Sequence, residues 1–306
     1  MANGPAVPAP DQEQKQEGEA ALPTSFGEIT PSLVGLAMKE MVRRAIQVIR
    51  NQRFVFDAQQ KMATDGSLSD LVTSADLEAQ QAYLRVIRNC FPDYGIIAEE
   101  DGLRVDCRVP GRGLYFTIDP LDGTRAFSRR QSAGVGTMIA LVDGSQVLAA
   151  YVGDVMTQEI YGYRPQAQEV HRISEFDVAE RLERRDAPLS ASYLLLRDQP
   201  RNYPSGVGRL LERFAGIDVE GGSIGISFAR LWKGEVEAVL TGAHFSTPWD
   251  SAPVIGISRC LGYRFLKVDA CGTLEAIDPV PPLEPVHQSH HLLVVGESLC
   301  RELLGE

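Results

Sequence analysis

Two short acidic segments stand directly behind apolar runs, and that placement limits how the chain can fold. Glu99-Glu100 follows Tyr94-Gly95-Ile96-Ile97-Ala98, and Asp119-Pro120-Leu121-Asp122-Gly123-Thr124 follows Leu114-Tyr115-Phe116-Thr117-Ile118. Apolar runs of this length, bounded by turn residues, read as buried strands. Carboxylates at their ends need something to offset their charge. Asp76, closing Asp70-Leu71-Val72-Thr73-Ser74-Ala75-Asp76, and Asp250, in Trp249-Asp250-Ser251-Ala252, complete the set. Carboxylates gathered from separated segments, beside a Gly-Thr step, suit hard divalent cations held against a phosphate.

The 306 residues can bury a large core, as one domain or two closely packed halves. A net charge of −11 argues against a general nucleic-acid or anionic-membrane binder. It does not oppose an anionic substrate, because bound cations reverse the local sign of a carboxylate-rich site. The five cysteines, Cys90, Cys107, Cys260, Cys271 and Cys300, form no C-x-x-C pair, so neither a disulfide framework nor a zinc site is expected. No secretion signal and no membrane-spanning apolar run is visible, which makes a reduced cytoplasm the expected location.

Residues 1–25, rich in Ala, Pro, Gln and Glu, are expected to be a disordered leader, because they carry few large apolar side chains to offset ordering entropy. Residues 26–306 are then expected to form the folded domain, with most of the candidate metal ligands in a half spanning 26–190 and a half spanning 191–306 supplying Asp250 and the substrate loop. Helical spacing predicts a helix from Pro31 to about Arg53 and another from about Leu77 to Cys90, with a polar loop from Met62 to Asp70 between them. Strands are predicted at Gly95–Ala98, Leu114–Ile118, Val135–Val142, Val147–Val152 and Ile160–Tyr163, then at Tyr193–Leu196, Val236–Leu240, Tyr263–Val268 and Leu292–Val295. Helical patterns near Ser223–Lys233 and Ser251–Leu261 lie among the later strands. Mixed strands and helices with early hairpins argue for a layered α/β or α+β architecture rather than a plain Rossmann sheet.

In the hexapeptide, Pro120 stiffens the turn and Gly123 permits unusual dihedrals, so Asp119 and Asp122 can converge on one ion with the Leu121 carbonyl as a further ligand. A short helix beyond Gly123 would aim the Gly123 and Thr124 amides at a phosphate. Asp, Pro and Gly are also ordinary turn residues, so this segment alone equally admits a solvated turn. Adjacent strand residues point to opposite faces, so one of Glu99 and Glu100 is expected to bind metal while the other supports water. Asp76 and Asp250 each precede a predicted helix and could serve simply as caps. His287, His290 and His291 lack an acidic or cysteine partner nearby, so no metal site is expected there.

Taken together, Asp…Glu-Glu…Asp-Pro-Leu-Asp-Gly-Thr…Trp-Asp resembles the inositol monophosphatase family, from about Leu33 to Val295. The resemblance implies an α+β fold, a layered αβαβα sandwich with its active site between two halves. It implies a magnesium-dependent phosphomonoesterase with two or three ions, a homodimer, and a small phosphorylated metabolite as substrate, with no nucleic-acid or membrane partner. By position, Glu99, Asp119 and the Leu121 carbonyl would hold one magnesium, and Asp119, Asp122 and Asp250 a second. Asp76 and Thr124 would orient and deprotonate water with Glu100 in support, and the Gly123 and Thr124 amides would hold phosphate. The family's lysine ahead of the first motif falls at Lys61, although the loop here is longer.

Departures bear on the substrate. Inositol-selective members carry an acid shortly before Trp-Asp, and Thr241-Gly242-Ala243-His244-Phe245-Ser246-Thr247-Pro248 contains none. Arg125-Ala126-Phe127 after the Gly-Thr step looks more like the bisphosphate nucleotidase and histidinol-phosphatase branches. Arg125, with Arg129 and Arg130, could meet a second anionic group or form a solvated face. His244 lies in the loop expected to face substrate. Inositol monophosphate is the default substrate, histidinol phosphate and adenosine 3′,5′-bisphosphate the runners-up. A non-catalytic phosphate-ligand sensor is the alternative of another class, and its signature, a missing metal carboxylate, is absent.

Overall fold

The computed structural model describes residues 21–25, 27–62, 66, 70–243 and 245–305. Seven helices are assigned among them: α1 (Pro31–Gln52), α2 (Ser74–Cys90), α3 (Thr124–Ser128), α4 (Ser205–Leu211), α5 (Ile224–Trp232), α6 (Pro248–Cys260) and α7 (Glu297–Leu304). An eight-stranded sheet runs in the order 179–181, 171–173, 160–163, 146–154, 136–143, 114–122, 95–98, 104–105. All its pairings are antiparallel except that of Gly95–Ala98 with the strand Leu114–Asp122. A six-stranded sheet runs in the order 216–219, 193–196, 238–241, 291–295, 264–268, 274–277.

The layering follows from side-chain alternation. In the strand Gly136–Asp143, Ile139 and Leu141 join a core with α1 and α2, while Met138, Ala140 and Val142 join a second core with α5 and α6. Both faces are therefore covered, which is why the run is apolar without alternation. The six-stranded sheet repeats the device. Leu195, Val239, Phe265 and Val294 face α5 and α6, whereas Leu194, Leu196, Leu240 and Leu293 face α4 and α7. Helices, sheet, helices, sheet and helices thus stack as αβαβα, as expected.

Several boundaries differ from the sequence expectations. Leu22–Thr24 pairs with Gly27–Ile29 and Leu22 is buried, so these residues, inside the stretch expected to be a disordered leader, form a strand. Residues 1–20 and most of the Met62–Asp70 loop lie outside the described residues. Helix α2 starts at Ser74, three residues early, because Thr73 is its N-cap and Asp76 its N3 residue. Helix α6 likewise starts at Pro248 with Thr247 as N-cap, so Asp250 is also an N3 acid rather than a cap. Among the described residues no helix is long and apolar enough to cross a membrane.

The middle helical layer anchors the end of α6 opposite the site. Trp232, fully buried at the end of α5, donates its indole N–H to Ser258 Oγ on α6 at 3.0 Å. Removing a fully buried Trp ring costs about 3–5 kcal/mol through lost burial and the residual cavity. Trp232→Ala is expected to lose that much in equilibrium urea unfolding. A loss under about 0.5 kcal/mol, the range of an ordinary surface substitution, would show that the layer does not depend on this ring.

Candidate active site

The acidic residues converge at strand ends and helix starts. Pairing along Leu114–Asp122 shifts register between Asp119 and Asp122, so the strand predicted to end at Ile118 continues through a bulge at Pro120. Leu121 N–H donates to Asp119 Oδ1 at 3.1 Å, fixing that carboxylate across the bulge. The chain then turns at Gly123 (φ 90°) into α3. A Cβ at Gly123 would lie 2.4 Å from Gly134 O and 2.7 Å from Ser223 N, so only glycine fits. Asp119, Asp122 and Asp250 each present a carboxylate oxygen within 4.8 Å of the others.

Each acid is held by a separate device. The Asp122 carboxylate accepts from Ile224 N–H (3.0 Å), Gly225 N–H (2.7 Å) and the Ser223 hydroxyl, so it seals the N-terminus of α5. Asp250 accepts from Thr247 Oγ1 at 2.6 Å at the start of α6. Asp76 Oδ2 accepts from Thr73 N–H at 2.8 Å and from the Thr73 hydroxyl, leaving Oδ1 for Thr124 Oγ1 at 3.0 Å. Thr124 Oγ1 also lies 3.1 Å from the Leu121 carbonyl, so its single proton has two acceptors to choose between.

Glu99 and Glu100 do not diverge as strand alternation predicts. The strand ends at Ala98 and Glu99 is already helical (φ −64°, ψ −49°), so both side chains reach one partner. Lys61 Nζ lies 2.8 Å from Glu99 Oε1 and 2.7 Å from Glu100 Oε1. Lys61 is thus brought into the site despite the longer loop. Gln80 clamps the Glu100 backbone, giving its amide N–H to Glu100 O and accepting from Glu100 N–H, both at 3.1 Å.

Burial and mutual repulsion dominate the electrostatics. Asp119 is held well above the usual carboxylate range, first by burial and then by Glu99, Asp122 and Asp250. Burial likewise raises Asp76, Glu99 and Asp122. Asp250 is pushed up to about 7 by burial and Asp122, and Glu100 to about 8 by burial and Glu99. The six acids outnumber the cationic side chains around them, Lys61, Arg125 and Arg197. Clustered hard oxygens that resist ionising together are a donor set completed by divalent cations, and magnesium fits it.

The remaining sequence candidates separate. Arg125 lines a cavity of about 380 Å³ together with Asp119, Asp122, Gly123, Thr124 and Asp250. Arg129 and Arg130 are exposed and are not among that cavity's lining residues. His244 lies outside the described residues. His291 is a structural acceptor, its Nδ1 taking Ala243 N–H at 3.1 Å. Sequence reasoning missed Gly221-Gly222-Ser223-Ile224-Gly225, which secures Asp122, and also Gln80, Arg197 and Asp198. The Gly-Gly-Ser step before an apolar helix was the available signal for the first.

Fold and site define a five-layer αβαβα protein with a buried carboxylate centre open to a polar cleft. The chain belongs to the inositol monophosphatase family, whose sequence profile matches residues 33–298. Among curated proteins, an inositol-1-monophosphatase of Synechocystis is 39% identical over 69 residues, covering 22% of this chain and 23% of that protein. The Nus factor SuhB of Xylella fastidiosa is 30% identical over 95 residues, covering 31% of this chain and 32% of that protein. The 3′(2′),5′-bisphosphate nucleotidase CysQ of Salmonella typhimurium is 27% identical over 152 residues, covering 48% of this chain and 60% of its own. The match thus spans less than two thirds of each of these relatives. Among solved structures, a Thermotoga maritima IMPase superposes with a TM-score of 0.65 at 21% identity, covering 87% of this chain and 93% of its own. SuhB of Bartonella henselae gives 0.68 at 16% identity, covering 89% and 96%.

The raised carboxylates make stability depend on pH and metal. Unfolded Asp and Glu titrate near about 3.9 and 4.3, below the folded values of about 7 for Asp250 and about 8 for Glu100. The folded state therefore binds the extra protons, and stability falls as pH rises through that window. With chelator present, the melting temperature is expected to drop between about pH 5 and pH 8, and magnesium should raise it more at the higher pH. A metal-independent melting temperature at both pH values would contradict the cation reading.

Proposed function

We propose that the protein hydrolyses small phosphate monoesters with magnesium as cofactor, inositol 1-phosphate being the first substrate to test. The observation that carries this reading is the convergence of Asp119, Asp122 and Asp250, beside Thr124 and its partner Asp76. Glu99, Asp119 and the Leu121 carbonyl would hold one ion, and Asp119, Asp122 and Asp250, whose carboxylate oxygens converge, would hold another. Magnesium supplies positive charge for the phosphoryl oxygens and acidifies water.

The chain's own groups do the positioning. The Gly123 and Thr124 amides, at the turn into α3, receive the phosphate. Thr124 Oγ1 gives its proton to Asp76 Oδ1, and its lone pair then accepts from the attacking water. Deprotonation thus runs from water through Thr124 to Asp76, whose affinity for a proton is raised by burial. Glu100 and Lys61 hold Glu99 in place, and Arg125 lines the cavity where a second anionic group would lie. Family membership and two of the relatives, the inositol-1-monophosphatase and the bisphosphate nucleotidase, support phosphatase chemistry, and the full carboxylate set weighs against a silent ligand sensor.

Asp76→Asn is expected to lower magnesium-dependent phosphate release about 10²–10⁴-fold, the range for a positioned base, while circular dichroism stays unchanged. Asp122→Asn should also lose most turnover. Turnover of Asp122→Asn within a few-fold of the parent, with the fold intact, would remove the second ligand set.

A further inference from the structure

Asp76, Gln80 and Tyr83 stand at i, i+4 and i+7 of α2, on a single face of the helix. All three are almost fully buried. A row facing the core at this spacing is ordinarily apolar, because a buried polar group is unfavourable without a partner. Each of these side chains has one, and each partner lies in or beside a different acidic segment.

Asp76 accepts from Thr124 Oγ1 at the turn into α3. One turn further along α2, Gln80 clamps both backbone groups of Glu100. Beyond it, the Tyr83 hydroxyl lies 2.7 Å from Thr137 Oγ1, which in turn lies 3.3 Å from the Asp119 carbonyl oxygen. The proton count fixes the direction of this chain. Thr137 has a single hydroxyl proton and gives it to Asp119 O, so Tyr83 donates to Thr137. The contact falls where the pairing of Leu114–Asp122 with Gly136–Asp143 shifts register, so side-chain donors support the backbone where its ladder is interrupted. Burial holds the Tyr83 hydroxyl far above the usual phenol range, which keeps it a donor near neutral pH.

We infer that Gln80 and Tyr83 are positioning residues, through which α2 fixes Glu100 and Asp119 at set distances from Asp76. The inference rests on the phosphatase reading, in which Asp76 takes the proton of water and Asp119 serves both cations. Neither Gln80 nor Tyr83 is among the residues lining the cleft, so both act through backbone groups of the acidic segments. In-line attack needs cations and base in one geometry, and a misplacement of about 1 Å can cost about 10²-fold in rate. One helix that carries the base and both ties meets that need. Apolar packing is non-directional, whereas a hydrogen bond fixes an atom in direction as well as distance. That difference accounts for polar side chains at core positions of α2.

The test measures manganese affinity by calorimetry with no ester present, and kcat and KM for inositol 1-phosphate at saturating magnesium. Tyr83→Phe, Thr137→Val and Gln80→Met nearly conserve side-chain volume while removing the ties. Each is expected to weaken manganese binding and to lower kcat by about tenfold, the lower end for groups that orient metal ligands. KM should stay within about threefold, because ground-state binding of the ester is not what the ties provide. Thr137→Ser, which keeps the hydroxyl, should retain parent values. Tyr83→Phe combined with Thr137→Val should do no more than either alone, since both break the same chain. Tyr263→Phe is the control for stability. Its buried hydroxyl donates to Leu231 O at 2.8 Å, and Tyr263 does not line the cleft, so manganese affinity and kcat should be unchanged. Manganese affinity and kcat at parent values in Tyr83→Phe or in Gln80→Met overturn the inference for that residue. An equal loss in Tyr263→Phe overturns it for both, in favour of general stability. If Tyr83→Phe does not fold, the comparison of Thr137→Val with Thr137→Ser decides in its place. A parent protein that binds manganese but hydrolyses no ester, with the affinity pattern intact, counts against the phosphatase reading and leaves the positioning roles standing. A parent protein that binds no manganese overturns both.

Discussion

Repulsion among buried carboxylates is the constraint around which this molecule is arranged. Asp119 cannot ionise comfortably with Glu99, Asp122 and Asp250 so near, and burial raises the cost for all of them. Such an arrangement persists only if the backbone over-determines it. The bulge at Pro120, the left-handed turn at Gly123 and the N-termini of α5 and α6 supply that rigidity. The N-terminus of α5 meets Asp122 from the first half of the chain, and the first turn of α6 carries Asp250 itself. Each such contact contributes about 0.3–1 kcal/mol through the helix dipole, too little to cancel the repulsion but enough to orient the side chains. In the proposed function, cations would complete what the helices begin.

The layering makes that meeting possible. Asp119 and Asp122 belong to a strand whose two faces are covered by different helical layers, and α5 and α6 form the middle one. Because the Trp232 indole ties α5 to α6, the two helix starts that carry Ser223 and Asp250 are held relative to each other. The core therefore sets the width of the centre, and the polar loops set what enters it. Arg197 and Asp198, Gly242 and Arg125 all belong to this outer set, where chains of one fold diverge in the ligands they accept.

Much of this was legible in the sequence, for physical reasons. Acids closing apolar runs could hardly avoid the cleft, because strands buried on both faces leave only their ends for charge. The five-layer fold followed from the mixture of strands and helices together with the family resemblance. What failed was local. Asp76 and Asp250 were expected just outside their helices, but Thr73 and Thr247 take the capping positions and move both acids into the first turn. Glu99 and Glu100 were assigned to opposite faces by strand alternation, which does not apply once the backbone turns helical at Glu99. Arg197 and Asp198 were invisible because nothing in a short apolar run such as Tyr193–Leu196 announces which site its end will face.

The most direct measurement is the location of manganese by anomalous scattering in crystals grown with that ion in place of magnesium. Peaks at bonding distance from Asp119, Asp122 and Asp250, with another beside Glu99 and the Leu121 carbonyl, are the predicted result. A carboxylate cluster without any peak at saturating manganese, its charge offset only by protons and by Lys61 and Arg197, would contradict the account.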